Sequence, residues 1–299
     1  MSEEAIGHLE AKPERRGIKK GLYLVPSLFT SANVLMGFFA LMGALRGFQY
    51  VGEGTADALA RAAVHFDKAA IAIGWAVLFD ALDGRIARMT KTTTEIGVQL
   101  DSIADVVTFG IAPTVLAYCW GYGAALPDGS NAHKLGWFIS FMYLMCGSFR
   151  LARFNVQATR PRILAEGTVK VDKKNFVGLP IPAAAAIVAA IVHYAPEPLV
   201  AYSGSNSIIY SVLVMVLMGA LGALMVSTLK YSSFKTVGTK RRSTRMVLLL
   251  VAAIGMLIWL YSRYVLLLLA TIYATHGIVI RLVNFLRRRP EQVVQSENA

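Results

Sequence analysis

Residues 206–228 read Asn-Ser-Ile-Ile-Tyr-Ser-Val-Leu-Val-Met-Val-Leu-Met-Gly-Ala-Leu-Gly-Ala-Leu-Met-Val-Ser-Thr, an uninterrupted stretch without a single charge. A helix rises about 1.5 Å per residue, so a run of this length crosses the roughly 30 Å hydrocarbon core of a bilayer. No aqueous core needs so long an apolar element. Seven further segments of similar character lie at about 27–49, 69–88, 98–122, 134–154, 180–196, 244–261 and 263–286. Lipid offers the backbone no hydrogen-bond partner, so each segment must be helical. The expected fold is therefore all-α: a polytopic membrane helix bundle of about eight transmembrane helices, without a separable soluble domain.

Composition agrees. Of 299 residues, 56% are hydrophobic and 16% charged, and the mean hydropathy is +0.53; soluble domains carry about 25% charge. The two cysteines, Cys119 and Cys146, both sit in apolar stretches without a partner at metal-ligand spacing. They read as inert buried thiols rather than as a disulfide scaffold or zinc module. No apolar run with a small-residue cleavage site follows the basic N-terminus directly, which disfavours a cleaved signal peptide.

Positive charge sets the orientation. Lys and Arg number 5 in the first 25 residues, 3 at 85–91, 7 at 150–174, 6 at 230–245 and 4 from Arg281 onward. That places 25 of the 30 on one side of the membrane, leaving Arg46, Arg61, Lys68, Lys134 and Arg263 near the other. The asymmetry predicts cytoplasmic termini and an even number of spans. The chain then divides into a basic cytoplasmic segment, 1–25, a transmembrane domain, 26–286, and a cytoplasmic tail, 287–299. Basic residues beside helix ends suit anionic lipid headgroups, so the net charge of +12 implies membrane lipids rather than nucleic acid as partners.

Four carboxylates stand where a membrane tolerates few: Asp80 and Asp83 end the second segment, and Asp101 and Asp105 begin the third. A carboxylate inside a span is costly and marks a candidate functional site. At about 100° per residue, Asp80 and Asp83 lie within about 60° of each other and Asp101 and Asp105 within about 40°. A short connection makes the two helices antiparallel neighbours, so both pairs can face one pocket near the cytoplasmic surface. Four ionised carboxylates together require protons or cations, and an all-oxygen donor set suits Mg²⁺, Mn²⁺ or Ca²⁺. Two such ions would clamp a phosphoryl group or pyrophosphate. Gly84 and Ala87 continue the Asp80 stripe, while Gly97 and Ala104 flank Asp101. Small residues there leave room for a ligand, or simply let two helices pack closely. Arg85, Arg88 and Lys91 could hold phosphate oxygens or serve only as inside anchors.

The run Asp80-Ala-Leu-Asp83-Gly84-Arg-Ile-Ala87-Arg88, followed after eight residues by Gly97-Val-Gln-Leu-Asp101-Ser-Ile-Ala-Asp105, resembles the signature of the CDP-alcohol phosphotransferase family, with every fixed position filled. The resemblance implies a membrane enzyme that uses two divalent cations, Mg²⁺ or Mn²⁺, and displaces CMP from a CDP-linked lipid with a hydroxyl acceptor. It also implies that Asp80, Asp83, Asp101 and Asp105 ligate metal and that Asp105 takes the acceptor's proton. Asn33, Gly84, Ala87, Arg88, Thr94 and Gly97 would then meet the CDP-lipid.

Four stretches resemble the bacterial integral-membrane branch of the family that makes phosphatidylserine: Pro26 to Thr30, Asp101 to Pro113, Phe149 to Asn155 and Phe176 to Pro182. The stretch from Ser227 to Lys235 extends the likeness; the last two spans match only in hydropathy. One departure is Ser27, where many members carry Asn. This narrower resemblance implies CDP-diacylglycerol and L-serine as substrates, Arg150 and Arg153 as candidates for the acceptor carboxylate, and a bacterial cytoplasmic membrane with the site facing the cytoplasm. It leaves a homodimer open. Two alternatives stand at this point: the same chemistry with glycerol-3-phosphate, inositol or choline as acceptor, and a cation transporter with the carboxylates as its ion path. The transporter leaves Gly84, Ala87 and Arg88 without a use.

Overall fold

The computed structural model describes residues 16–90, 95–159, 175–232 and 244–287. The chain forms helices α1 (Arg16–Glu53), α2 (Ala56–Thr90), α3 (Glu95–Asp105), α4 (Ala112–Ala117), α5 (Asn131–Thr159), α6 (Ile181–Tyr194), α7 (Ser205–Val226) and α8 (Thr244–Arg287). Two π-helical turns, Val106–Ile111 and Tyr118–Tyr122, follow α3 and α4 without a break. Those pieces form one continuous span.

α1 and α2 make the principal hairpin. The chain turns through Gly54 (φ 69°), and the Thr55 hydroxyl accepts from the Ala58 amide at 3.2 Å, capping α2. The expected second span began at residue 69, whereas α2 begins at Ala56. The difference has a plain cause. Ala58, Ala62, Phe66, Ala69, Ile73 and Ala76 are all buried and recur every three or four residues, so one helical face continues through the more polar stretch. Small residues bring the helices close, as membrane packing without a hydrophobic driving force requires.

α1 also meets the span that carries α3. A Cβ built on Gly37 would lie 2.4 Å from the Thr108 hydroxyl oxygen, and that hydroxyl donates to the Asn33 carbonyl at 3.3 Å. Close backing of this kind keeps the α3 span in register with α1. Around it pack Phe109, Leu116, Tyr122, Tyr143, Leu179, Ile181, Met218 and Met225, each almost fully buried. Trp137, Phe138 and Phe141 on α5 and Trp259 on α8 point outward, as a lipid-facing surface would.

Among the described residues, six form strand. Asn175–Val177 and Lys230–Ser232 pair as a short antiparallel ladder, extended by Gly178 N–H to the Leu229 carbonyl at 2.8 Å. The ladder joins the start of α6 to the end of α7. Gly178 is required there: its φ is +83°, and a Cβ would stand 2.3 Å from the Met225 carbonyl oxygen.

Seven helical stretches among the described residues have the length and apolarity of a span. The seventh lies in α8, where the last two expected spans, 244–261 and 263–286, form one 44-residue helix interrupted at Tyr261 (φ −134°, ψ 44°). An unbroken helix of that length would measure about 66 Å, twice the hydrocarbon thickness. The interruption falls where the apolar pattern divides the two segments.

Candidate active site

Three of the four aspartates cluster. Carboxylate oxygens of Asp80, Asp101 and Asp105 all lie within 4.8 Å of one another. Asp105 is buried, and Asp80 and Asp101 are half-buried. One Asp105 oxygen, Oδ1, is buried without a hydrogen-bond partner. A hard-oxygen set this close, holding an unsatisfied buried oxygen, fits a divalent cation. Asp83 stands apart from the trio. It is buried and accepts a hydrogen bond from the Thr30 hydroxyl of α1, while remaining within electrostatic range of Asp80 and Asp101.

Besides α2, which carries Asp80 and Asp83, three elements surround this cluster. α1 presents Thr30 and Asn33 on one face, one turn apart. Asn33 is 1% exposed, and neither atom of its amide has a partner; a buried polar group left open beside the carboxylates is a candidate ligand contact. α3 supplies Asp101 and Asp105, and the helix widens into a π turn directly after Asp105, a distortion common at functional sites. α5 closes the third side, where Asn155 Nδ2 donates to the Ser102 hydroxyl at 2.8 Å.

Of the remaining expected contacts, Gly84 and Gly97 are exposed. Ala87 and Arg88 lie in the last turn of α2, their side chains outside the described residues, as is Thr94. Arg150 and Arg153, near the end of α5, are half-buried. Arg150 is within electrostatic range of Asp105, and its Nε is buried without a partner. Sequence reasoning passed over Ser102, although its place beside Asp101 was a signal. It also passed over a second polar group far along the chain: His193 of α6 bonds Asp67 of α2 at 2.6 Å and Ser262 of α8 at 2.9 Å. Asp67 falls outside the expected span at 69–88 and lies inside a span only because α2 begins at Ala56. Cys119 is buried and Cys146 half-buried, and both are free thiols.

An all-helical bundle with a carboxylate cluster shared by the ends of two spans defines a membrane-embedded protein with a set of oxygen ligands close enough together to hold a metal ion. The profile of the CDP-alcohol phosphatidyltransferase family matches residues 23–223, and the chain belongs to that family. Its relatives include proteins named CDP-diacylglycerol–serine O-phosphatidyltransferase. That of Helicobacter pylori is 32% identical over 216 residues, covering 72% of this chain and 75% of the relative. The Methanocaldococcus jannaschii protein is 32% identical over 159 residues (53% and 60%), and the Saccharomyces cerevisiae protein 33% over 159 residues (53% and 50%). The family match ends within α7, so α8 lies outside it.

Proposed function

We propose that this protein transfers the phosphatidyl group of CDP-diacylglycerol to the hydroxyl of L-serine, giving phosphatidylserine and CMP. The observation that carries the reading is the meeting of Asp80, Asp101 and Asp105 within 4.8 Å, all three being fixed positions of the family signature. The names of the relatives support serine as the acceptor.

Asp80, Asp83, Asp101 and Asp105 would hold two divalent cations, Mg²⁺ or Mn²⁺. When bound, such cations neutralise pyrophosphate oxygens and stabilise the CMP phosphate as a leaving group. The chain's own residues do the rest. Asn33, Gly84, Ala87, Arg88, Thr94 and Gly97 contact the CDP-lipid, with the open Asn33 amide able both to donate and to accept. Asp105 takes the proton of the serine hydroxyl, which is too weak an acid to attack unaided. The serine oxygen then forms a bond to the phosphatidyl phosphorus as the bond to CMP breaks, its electron pair leaving with the CMP oxygen. Arg150 and Arg153 serve the acceptor carboxylate, for which a guanidinium offers a bidentate fork. The site would face the cytoplasm, in a bacterial cytoplasmic membrane; the grouping of 25 of the 30 basic residues in alternate connections supports the orientation. Supplying purified protein with CDP-diacylglycerol and, separately, serine, glycerol-3-phosphate, inositol and choline tests the reading. CMP release is expected with serine, and release with a different alcohol alone would refute it.

A further inference from the structure

A second group of polar side chains has the connectivity of a serine nucleophile and its base. Asp67 Oδ1 of α2 lies 2.6 Å from His193 Nδ1 of α6, and His193 Nε2 lies 2.9 Å from Ser262 Oγ of α8. An ionised carboxylate only accepts, so Nδ1 carries the proton and Nε2 is left to accept from the serine hydroxyl. That is the order of a Ser–His–Asp triad, which is recognised by geometry and roles rather than by position in the chain. Holding three helices together would explain the bonds, but not the way they are exposed. The imidazole in the middle is shielded, its side chain 9% exposed, while the Asp67 side chain is 24% exposed and Ser262 is half-buried. The base is kept from water and the hydroxyl is within reach.

Thirteen residues separate Asp67 from Asp80 on α2, about 20 Å along the helix. His193 stands in the last turn of α6. The triad therefore lies toward the membrane face opposite the aspartate cluster. Lys68 and Arg263, the neighbours of two of its members, are exposed, and beside it the partly exposed rings of Tyr194 and Tyr264 meet edge to face, centroids 5.6 Å apart. Tyrosines and long basic side chains gather where hydrocarbon meets headgroups. Bilayer lipids carry their acyl ester bonds at that depth. Ser262 also directly follows the interruption at Tyr261, where a second helical segment begins. First-turn amides of a helix need partners from outside its own ladder, and such donors serve a developing oxyanion.

We propose that Asp67, His193 and Ser262 form a second catalytic site, of esterase type, for a carboxylic ester held at the membrane boundary opposite the aspartate cluster. Ser262 Oγ bonds to the ester carbonyl carbon as its proton passes to His193 Nε2. The bond to the alcohol oxygen then breaks, its electron pair leaving with that oxygen, which takes the proton from His193. Water repeats the two steps on the acyl-serine, freeing the acid and restoring the hydroxyl. Asp67 holds the imidazole in the required tautomer throughout.

The test treats the full-length protein with a fluorophosphonate probe, which modifies activated serines, and locates the adduct by peptide mass spectrometry. The adduct is expected on Ser262, forming about 10²–10⁴-fold more slowly in His193→Gln, the usual contribution of a positioned base. Asp67→Asn, which keeps the shape of the side chain, serves as the second variant and should also slow labelling, with circular dichroism reporting that each variant is folded. Asp80→Asn, which should lose CMP release, is expected to label like the parent. Ser262→Ala should keep CMP release while losing both the label and hydrolysis of p-nitrophenyl butyrate. An unlabelled Ser262 in the parent would overturn the proposal, and so would labelling indifferent to folded His193 and Asp67 variants, or ester hydrolysis that survives Ser262→Ala. Any of these would leave the three residues as an interhelical pin.

Discussion

Asn155 of α5 donates to the hydroxyl of Ser102 on α3 at 2.8 Å, and Ser102 in turn donates to the Val98 carbonyl at 2.9 Å. The bond crosses between helices one residue from Asp101, so the end of α5 fixes the rotation of the helix that presents two of the three clustered carboxylates. Asn155→Ala leaves Ser102 without its interhelical partner, a loss of about 1 kcal/mol in stability. The larger effect is expected at the site. The divalent-cation concentration giving half-maximal activity should rise several-fold, measured by titrating Mg²⁺ or Mn²⁺ into stripped protein, while the fold survives by circular dichroism.

Thr30 performs the matching task for Asp83 from the opposite side. Its hydroxyl donates to that carboxylate, and hydrogen bonds to charged groups contribute about 1.5–3 kcal/mol. Thr30→Val keeps the shape and deletes the donor. Lower thermal stability and weaker activation by cation are expected, and Thr30→Ser should restore both. Equal behaviour of the Val and Ser variants would show that Asp83 does not depend on this bond.

Removal of metal and loss of the base should be separable. Chelation of the stripped protein should abolish CMP release, with recovery on adding Mg²⁺ or Mn²⁺, because Asp80, Asp101 and Asp105 crowd within 4.8 Å and would repel a pyrophosphate unaided. Asp105→Asn should lower turnover by about 10²–10⁴-fold, the usual contribution of a positioned base, and should weaken CDP-diacylglycerol binding far less. Asp80→Asn should damage both. Turnover of Asp105→Asn near that of the parent at saturating metal would assign the proton to another group.

What was legible in the sequence follows from which forces are local. Bilayer thickness fixes the length of an apolar run, so the spans could be read from hydropathy, and the division near residue 262 reappears as the interruption at Tyr261. The aspartate cluster was legible because i,i+3 and i,i+4 spacings place side chains on one face whatever the surroundings. Contacts between distant helices left no such trace. Nothing in the spacing of Asp67, His193 and Ser262 announces that they meet, and Thr30, read only as the end of the Pro26 to Thr30 stretch, proves to be tied to Asp83. The start of α2 was misplaced by 13 residues because Arg61 and Lys68 depress the local hydropathy, although Ala58, Ala62 and Phe66 keep the helical face apolar.

Arginine 150 and Arg153 looked equivalent in sequence, and the fold separates them. Both are half-buried, but Arg150 carries the buried, unpartnered Nε and stands within electrostatic range of Asp105 and Tyr273, whereas Arg153 is three residues nearer the end of α5. A lysine at either position preserves the inside charge and hence the topology, but its single ammonium cannot reproduce a planar fork. Arg150→Lys should therefore raise the serine KM by about tenfold or more, as loss of a charge-assisted hydrogen bond commonly does, with little change for CDP-diacylglycerol. Arg153→Lys should change the serine KM by less than about threefold, below the scale of a lost charged bond. Steady-state kinetics on both variants decides the matter: a larger effect at Arg153 than at Arg150 would move the carboxylate toward the end of α5, away from Asp105.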